Sequence, residues 1–183
     1  SDSFALDSPA GIIQVSRTGG LYTLDMGLPQ FAPEQVPILA EAESVEYLYS
    51  HAGLTLVFSA VSMGNPHAVI MVESVLDAPV EQWGAILQSA LIFPEGVNVG
   101  FAERLDDSNI RLRVFERGVG ETLACGSGAC AAVVSLIRRG LLNRSVSVHL
   151  PGGTLMIDWP HDEATVMMTG PAVRVYEGEW LDD

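Results

Sequence analysis

Short runs in which apolar and polar residues alternate occur along most of the chain and predict a series of β-strands. Residues 11–16 and 21–26 alternate on either side of a glycine-containing turn, and residues 45–50 and 54–62 do the same. Two alternating runs joined by a glycine turn are typical of a β-hairpin. Residues 28–43 contain three prolines and show no periodicity, so they predict a connecting loop.

The strand pattern continues toward the C-terminus. Strands are predicted over residues 67–72, 97–103 and 109–115. In the last of them, apolar residues alternate with Arg111 and Arg113, which is the pattern of a strand with one buried and one solvated face. Beyond the second helix described next, three or four further short strands are predicted, up to residue 177.

Two segments have helical periodicity instead. In residues 77–91 the apolar positions recur at helical spacing, with Asp77 predicted as the N-cap. Residues 127–139 predict a second helix, with Ser127 as its cap and Gly140 at the C′ position. The small apolar residues of this helix would fit inside a curved sheet. The pattern therefore predicts an α+β fold: a curved, mostly antiparallel, barrel-like sheet wrapped around a central helix.

Composition narrows the class of protein. The chain has 183 residues, 48% of them hydrophobic, which is enough for one large domain. The formal net charge of −14 argues against nucleic acid as a partner, because nothing would neutralise its phosphates. No apolar run approaches the roughly 18 residues of a membrane span, and no signal peptide is visible. Two cysteines do not make a disulfide framework, so we expect reduced thiols and a cytoplasmic protein.

The clearest chemical signal is the stretch E-T-L-A-C-G-S-G-A-C-A-A at residues 121–132. Cys125 stands directly before Gly126, Ser127 and Gly128, at the mouth of the second helix. The positive end of the helix dipole favours anions, so the sequence predicts a lowered pKa for Cys125. The backbone N–H groups of Gly126 and Ser127 are predicted to bind a carboxylate. A base beside a carboxylate clamp suits the removal of a proton next to a carboxylate.

Glu116 and Arg117 are the next candidates. They end a predicted strand, and the Gly118-Val119-Gly120 linker is flexible enough to fold them against Cys125. A carboxylate, a guanidinium and a thiol would then share one cleft. The alternative interpretation is a solvated strand end beside a buried structural cysteine.

A second candidate group lies in Gly64-Asn65-Pro66-His67. This segment forms either a simple turn or a site in which Asn65 binds a polar substrate and His67 handles protons. Asn98 is likewise either a loop residue or a ligand contact. Cys130 is interpreted as a small core residue. The remaining histidines are interpreted as structural, and no ligand pair has structural-zinc spacing, so no metal is expected: His51, His149 and His161.

These motifs resemble those of the diaminopimelate epimerase family. E-R-G-V-G-E-T-L-A-C-G-S-G-A-C-A-A at residues 116–132 is similar to the family signature, and M-G-N-P-H-A-V-I at 63–70 is similar to its second motif. Residues 93–100, 150–153 and 168–172 resemble further family segments in the same order. The resemblance covers nearly the whole chain, although A-C-G-S-G alone also fits other cofactor-independent racemases.

The resemblance implies an isomerase that interconverts LL- and meso-2,6-diaminopimelate, on the route to lysine and peptidoglycan precursors. It implies no pyridoxal phosphate, no other cofactor and no metal. Two cysteines face each other across the substrate α-carbon: one removes the proton as a thiolate, and the other delivers a proton to the opposite face. The implied fold has two similar halves, each a curved sheet around a central helix, with the site between them.

The resemblance also implies individual roles. Cys125 matches the C-terminal catalytic cysteine, which is the proton acceptor in the usual assignment. Gly126 and Ser127 would hold the reacting carboxylate through their N–H groups. His67 and Glu116 would assist proton movement, and Tyr176 matches a position linked to dimerisation, so a homodimer is implied. The non-reacting end of the amino acid would be bound by four residues: Asn65, Asn98, Glu116 and Arg117.

One departure from the family pattern is large. The other catalytic cysteine lies in a Cys-Gly-Asn-Gly turn in the N-terminal half, and no such turn exists here. Cys130 cannot replace it, because it belongs to the same helix as Cys125. We therefore expect a C-terminal portion of the enzyme that is inactive alone and needs the missing N-terminal half as its partner. Residues 1–25 would end that N-terminal half, 26–170 would form the C-terminal domain, and 171–183 would return as a strand.

Three alternatives to the epimerase interpretation stay open. A different cofactor-independent isomerase of the same fold, such as a relative of proline racemase, would not need a second amino-acid head-group site. A non-catalytic amino-acid-binding domain would not need a reactive thiol at Cys125. A thiol redox protein is disfavoured because the chain has no C-x-x-C motif.

Overall fold

The computed structural model describes residues 2–8 and 11–179, with Ser8 described by its backbone. The described part of the chain forms twelve strands and two helices. In chain order they are β1 (Asp2–Ser8), β2 (Gly11–Thr18), β3 (Leu21–Asp25), β4 (Tyr47–His51), β5 (Leu54–Ser62), β6 (Pro66–Met71), α1 (Val80–Gln88), β7 (Asn98–Asp106), β8 (Asn109–Glu116), β9 (Gly120–Thr122), α2 (Gly126–Arg138), β10 (Ser145–Leu150), β11 (Gly153–Asp158) and β12 (Met167–Pro171).

The strands join into one mixed sheet in the order β1-β2-β3-β12-β11-β10-β8-β7-β6-β5-β4, with β9 paired to β8. Two pairs are parallel, β6 with β7 and β8 with β10, and the other pairs are antiparallel. The sheet is open, because β1 and β4 lie at its two ends and do not pair with each other. The predicted α+β class is confirmed.

Helix α2 lies at the centre of this sheet. It packs against β5, β6, β7, β8 and β11, and residues 128–137 of the helix are all buried. Small side chains such as Ala129, Ala131 and Ala132 let the helix lie close to strands on more than one side. The expectation of an apolar helix inside a curved sheet is confirmed.

Helix α1 lies against the opposite face of the central strands. Val99 and Phe101 of β7 pack into the cluster that includes Leu87 of α1, whereas Ala102 of the same strand packs with α2. Both faces of β5, β6 and β7 are therefore covered over much of their length. This double burial explains why these strands contain continuous apolar runs instead of strict alternation.

Both helix starts differ from the sequence prediction. α1 begins after Pro79, which is its N-cap, so the prediction of Asp77 as the cap is wrong. Proline at the start removes no helical hydrogen bond and fixes φ near the helical value. α2 begins at Gly126, because Cys125 takes the extended conformation of an N-cap, with φ −139° and ψ 108°. The prediction of Ser127 as the cap is therefore wrong.

The predicted hairpins correspond to β2–β3 and β4–β5, and both are confirmed. The pattern missed β1 as a third strand beside the first hairpin. At the other end of the chain, β12 ends at Pro171, and no strand forms over residues 172–179; residues 180–183 of the expected final strand lie outside the described residues. The division into 1–25, 26–170 and 171–183 stays a prediction. In the described part of the chain, neither helix is long and apolar enough to cross a bilayer.

Candidate active site

Four segments of the fold meet at one edge of the sheet, which is formed by the ends of its central strands. β6 and β7 are parallel neighbours, with His67 opposite Asn98 near their amino ends. β8 runs antiparallel to β7, so its final residue, Glu116, lies at the same edge. The first turn of α2 reaches this edge through Ser127, which contacts His67. The topology thus brings together residues that are distant in sequence.

A buried polar cluster joins β6 to the start of α2. His67 is only 1% exposed, and its Nε2 lies 3.0 Å from Asn65 Oδ1 and 3.1 Å from Ser127 Oγ. Ser127 Oγ in turn lies 3.6 Å from the sulfur of Cys125, which is 7% exposed. Four of the predicted site residues therefore form one connected group.

The protonation of Cys125 differs from the sequence prediction. Burial raises the pKa of the Cys125 thiol above its ordinary value of 9.0, and the neighbouring charge of Glu116 raises it further. The Ser127 hydroxyl and the Gly128 N–H favour the thiolate, but burial outweighs them. The prediction of a lowered pKa is wrong, because the dipole of α2 acts on a sulfur enclosed by apolar side chains. Cys125 is a thiol at neutral pH in this state of the protein.

His67 is neutral at the same pH. Burial first, and then the charge of Arg117, lower the pKa of His67 from 6.5 to about 3. A neutral imidazole has one N–H donor and one acceptor nitrogen, so it can order a hydrogen-bond network without adding charge to it.

Two side chains hold Glu116 at the end of β8. Thr122 Oγ1 donates a 2.6 Å hydrogen bond to Glu116 Oε1, and Gln88 Nε2 donates to its backbone oxygen at 3.2 Å. Its carboxylate lies close enough to the Cys125 sulfur to raise the pKa of the thiol. The predicted cleft shared by carboxylate, guanidinium and thiol stays a prediction. Thr122 and Gln88 were not among the residues predicted from the sequence. The signal for Thr122 was the Gly118-Val119-Gly120 turn, which folds β9 back along β8.

Asn98 and Arg117 lie beside this group. Asn98 is 4% exposed; its Nδ2 donates to the Pro66 oxygen at 3.0 Å, and its Oδ1 accepts from the Arg117 N–H at 2.9 Å. The guanidinium of Arg117 is exposed and donates to the Glu95 oxygen at 2.8 Å. Asn98 thus fixes the backbone of the cluster, and the predicted substrate contacts of both residues stay predictions.

The helix start is closely packed around the cysteine. A Cβ atom added to Gly126 would lie 2.9 Å from the Met168 sulfur, and one added to Gly128 would lie 3.2 Å from the Cys125 sulfur. The first intrahelical hydrogen bond runs from the Ala129 N–H to the Cys125 oxygen at 2.9 Å. The N–H groups of residues 126 and 127 precede this ladder and are the ones predicted to bind a carboxylate.

The remaining candidates lie outside this cluster. Cys130 is fully buried in α2, and burial, with the nearby Cys125, raises the pKa of its thiol to about 12. Both cysteines are free. His149 contacts Thr154 and Asn109 on the sheet surface. Tyr176 is 85% exposed in the segment that follows β12, and its predicted role in dimerisation stays a prediction.

Solved structures that share this fold include two epimerases. A hydroxyproline epimerase from Agrobacterium vitis, with bound trans-4-hydroxy-L-proline, has a TM-score of 0.65 and 16% identity, covering 93% of this chain and 56% of that one. A predicted epimerase from Pseudomonas aeruginosa has a TM-score of 0.63 and 17% identity, covering 100% of this chain and 67% of that one. At this level of identity, the two structures show similarity of fold alone.

Sequence comparison finds relatives of much higher identity. The chain is 55% identical over 181 residues to a protein named diaminopimelate epimerase in Xanthomonas campestris pv. campestris, and 49% identical over 178 residues to one in Pseudomonas aeruginosa. These alignments cover 98% and 97% of this chain, and the chain spans 64% of the length of each relative. The family model described as diaminopimelate epimerase matches residues 59–175. The chain therefore belongs to the diaminopimelate epimerase family.

Proposed function

We propose that this chain supplies one half of the active site of a cofactor-independent epimerase that interconverts LL- and meso-2,6-diaminopimelate. The observation that supports it most is the position of Cys125 at the N-cap of α2, where its sulfur contacts the Ser127 hydroxyl and is acted on by the Glu116 carboxylate. The family relatives named above support the choice of substrate. The protein would act in lysine and peptidoglycan precursor biosynthesis.

The first chemical requirement is a place for negative charge. A proton next to a carboxylate is weakly acidic, so removing it requires donors that already face the developing charge. In the proposed reaction the N–H groups of Gly126 and Ser127, ahead of the first helical hydrogen bond, hold the reacting carboxylate. The dipole of α2 adds a favourable field at the same point.

The second requirement is a pair of proton carriers. Inversion needs a base on one face of the α-carbon and an acid on the other. Because the reaction runs in both directions, Cys125 accepts the α-proton as a thiolate in one direction and donates it as a thiol in the other. Cys130 does not serve as the second group, since it is fully buried in the same helix and its pKa is about 12. The second thiol in this proposal comes from outside these 183 residues.

The third requirement is recognition of the distal amino-acid group. Glu116 offers a carboxylate to the substrate ammonium, and the exposed guanidinium of Arg117 offers paired donors to its carboxylate. Asn65 and Asn98 complete the polar wall, and His67 and Glu116 assist proton movement at the cysteines. A cytoplasmic homodimer with Tyr176 at its interface is part of the same proposal.

Isotope exchange tests the proposal directly. The intact enzyme that contains this sequence is incubated with diaminopimelate in heavy water, and deuterium at the α-carbon is followed by mass spectrometry. We expect exchange with inversion in the parent, and loss of exchange in Cys125→Ala. Cys130→Ala is the matched control, because it removes a thiol from the same helix and should retain exchange. Absence of exchange in a folded parent would favour a binding domain instead.

The half-site part of the proposal has a separate test. The 183 residues alone, shown by circular dichroism to be folded, should not epimerise diaminopimelate, because one face of the α-carbon has no proton carrier. Measurable turnover by this chain alone would overturn the requirement for a second thiol from elsewhere.

A further inference from the structure

The Ser127 hydroxyl is the shared atom of the buried cluster. It lies 3.1 Å from His67 Nε2 and 3.6 Å from the Cys125 sulfur, and it therefore joins β6 to the N-cap of α2. In the proposed reaction, Ser127 holds the reacting carboxylate only through its backbone N–H. The side chain makes both of these contacts and has no function in that scheme.

The direction of the hydrogen bonds follows from Asn65. Asn65 Oδ1 lies 3.0 Å from His67 Nε2 and is an acceptor, so Nε2 has to hold the proton of the neutral ring. A protonated Nε2 cannot accept from Ser127, and Ser127 Oγ is then a second acceptor of the same N–H. The Ser127 O–H is thereby left to donate to the sulfur of Cys125.

We propose that Ser127 is a positioning residue whose hydroxyl accepts from His67 and donates to Cys125, so that one directed hydrogen-bond chain holds the sulfur and stabilises its thiolate form. The proposal rests on the proposed function only for the catalytic use of that thiolate. The hydrogen-bond chain itself is a property of the protein without substrate.

The other side chains that face Cys125 do not favour its thiolate, so the thiolate needs the Ser127 hydroxyl as a donor. Glu116 at the end of β8 is negatively charged and opposes a thiolate, and burial opposes it more strongly. Cys130, on the same helix, is a buried thiol, and His67 is neutral. Among the described side chains that act on Cys125, Ser127 is the one that favours the thiolate, together with the Gly128 N–H.

Thiol alkylation gives the first test. The 183-residue chain with Cys130→Ala, shown by circular dichroism to be folded, has Cys125 as its single thiol, and its rate of iodoacetamide alkylation is measured from about pH 6 to about pH 11. Ser127→Ala should raise the apparent pKa by about one unit, which lowers the rate about tenfold at any pH well below both midpoints. Ser127→Thr keeps the hydroxyl and should restore the parent midpoint. An unchanged midpoint in folded Ser127→Ala, or a Thr variant that behaves like Ala, would overturn the proposal.

The tautomer of His67 gives a second test that needs no Ser127 variant to fold. In protein labelled with ¹⁵N-histidine, the signals of His67 are assigned as those that are absent from the spectrum of His67→Gln. Long-range ¹⁵N–¹H correlation spectra should show that this ring is the Nε2–H tautomer. An Nδ1–H tautomer would overturn the chain, because Nε2 would then accept from Ser127. Neither measurement depends on turnover, so failure of isotope exchange would remove the proposed function and leave this result standing.

Discussion

Thr122 Oγ1 donates a 2.6 Å hydrogen bond to Glu116 Oε1, across the turn that joins β8 to β9. Glu116 pairs with Gly120 in this short antiparallel ladder, and Thr122 pairs with Val114. The hydroxyl thus fixes one oxygen of the carboxylate that acts on Cys125. A three-residue strand that contributes little to the core therefore has a clear role: it orients Glu116.

Replacing Thr122 by Val should impair the proposed reaction without unfolding the protein. Valine keeps the β-branched shape but removes the donor, and a hydrogen bond to a charged group is worth about 1.5–3 kcal/mol. We expect kcat for deuterium exchange in the intact enzyme to fall about tenfold, the lower end of that range. Thr122→Ser is the matched control, because it keeps the hydroxyl and should retain most of the rate. Equal losses in both variants would show that packing of the methyl group matters more than the hydrogen bond.

The contact between α1 and β8 predicts a large effect of a small substitution. A Cβ atom at Gly84 would lie 2.5 Å from Phe115 Cγ, so alanine there forces the helix away from the strand. We expect Gly84→Ala to lower the free energy of unfolding by about 1–3 kcal/mol, despite the better helix propensity of alanine. Urea denaturation measures this change. Gln82→Ala, at an exposed position of the same helix, should change stability by less than about 0.5 kcal/mol, and a similar loss in both variants would contradict the packing argument.

Local sequence patterns predicted the hairpins and the helix end, because these depend on residues that are close in sequence. The β2–β3 hairpin follows from alternation around a glycine turn, and the C-terminal end of α2 follows from Gly140, whose φ of 71° favours glycine. The parallel pairing of β8 with β10 was not predicted, because nothing in either strand specifies which distant neighbour it joins. β1 was missed although it pairs with β2, the strand that follows it directly in sequence.

The candidate site shows the same limit of prediction from local sequence more clearly. The position of Cys125 before a glycine turn predicted its place at the start of α2, but not the sign of its pKa shift. That sign depends on burial of the sulfur in a core cluster that includes Met63, from the turn between β5 and β6, and Val114 from β8. The start of a helix, and therefore the position of its dipole, can be predicted from a sequence, whereas burial depends on how the sheet assembles.

Cys130 makes a prediction about stability at high pH. Burial, followed by the nearby Cys125, raises the pKa of its thiol to about 12, whereas an unfolded chain loses this proton at the ordinary value of 9.0. Between about pH 9 and about pH 12 the unfolded state therefore binds fewer protons, so the free energy of unfolding falls as pH rises through this window; below it the stabilisation is fully present. Under reducing conditions the urea midpoint of the parent should fall more steeply from about pH 8 to about pH 10.5 than that of Cys130→Ala, in which Cys125 and the tyrosines still titrate. Parallel declines in the two proteins would show that Cys130 is not held as a buried thiol.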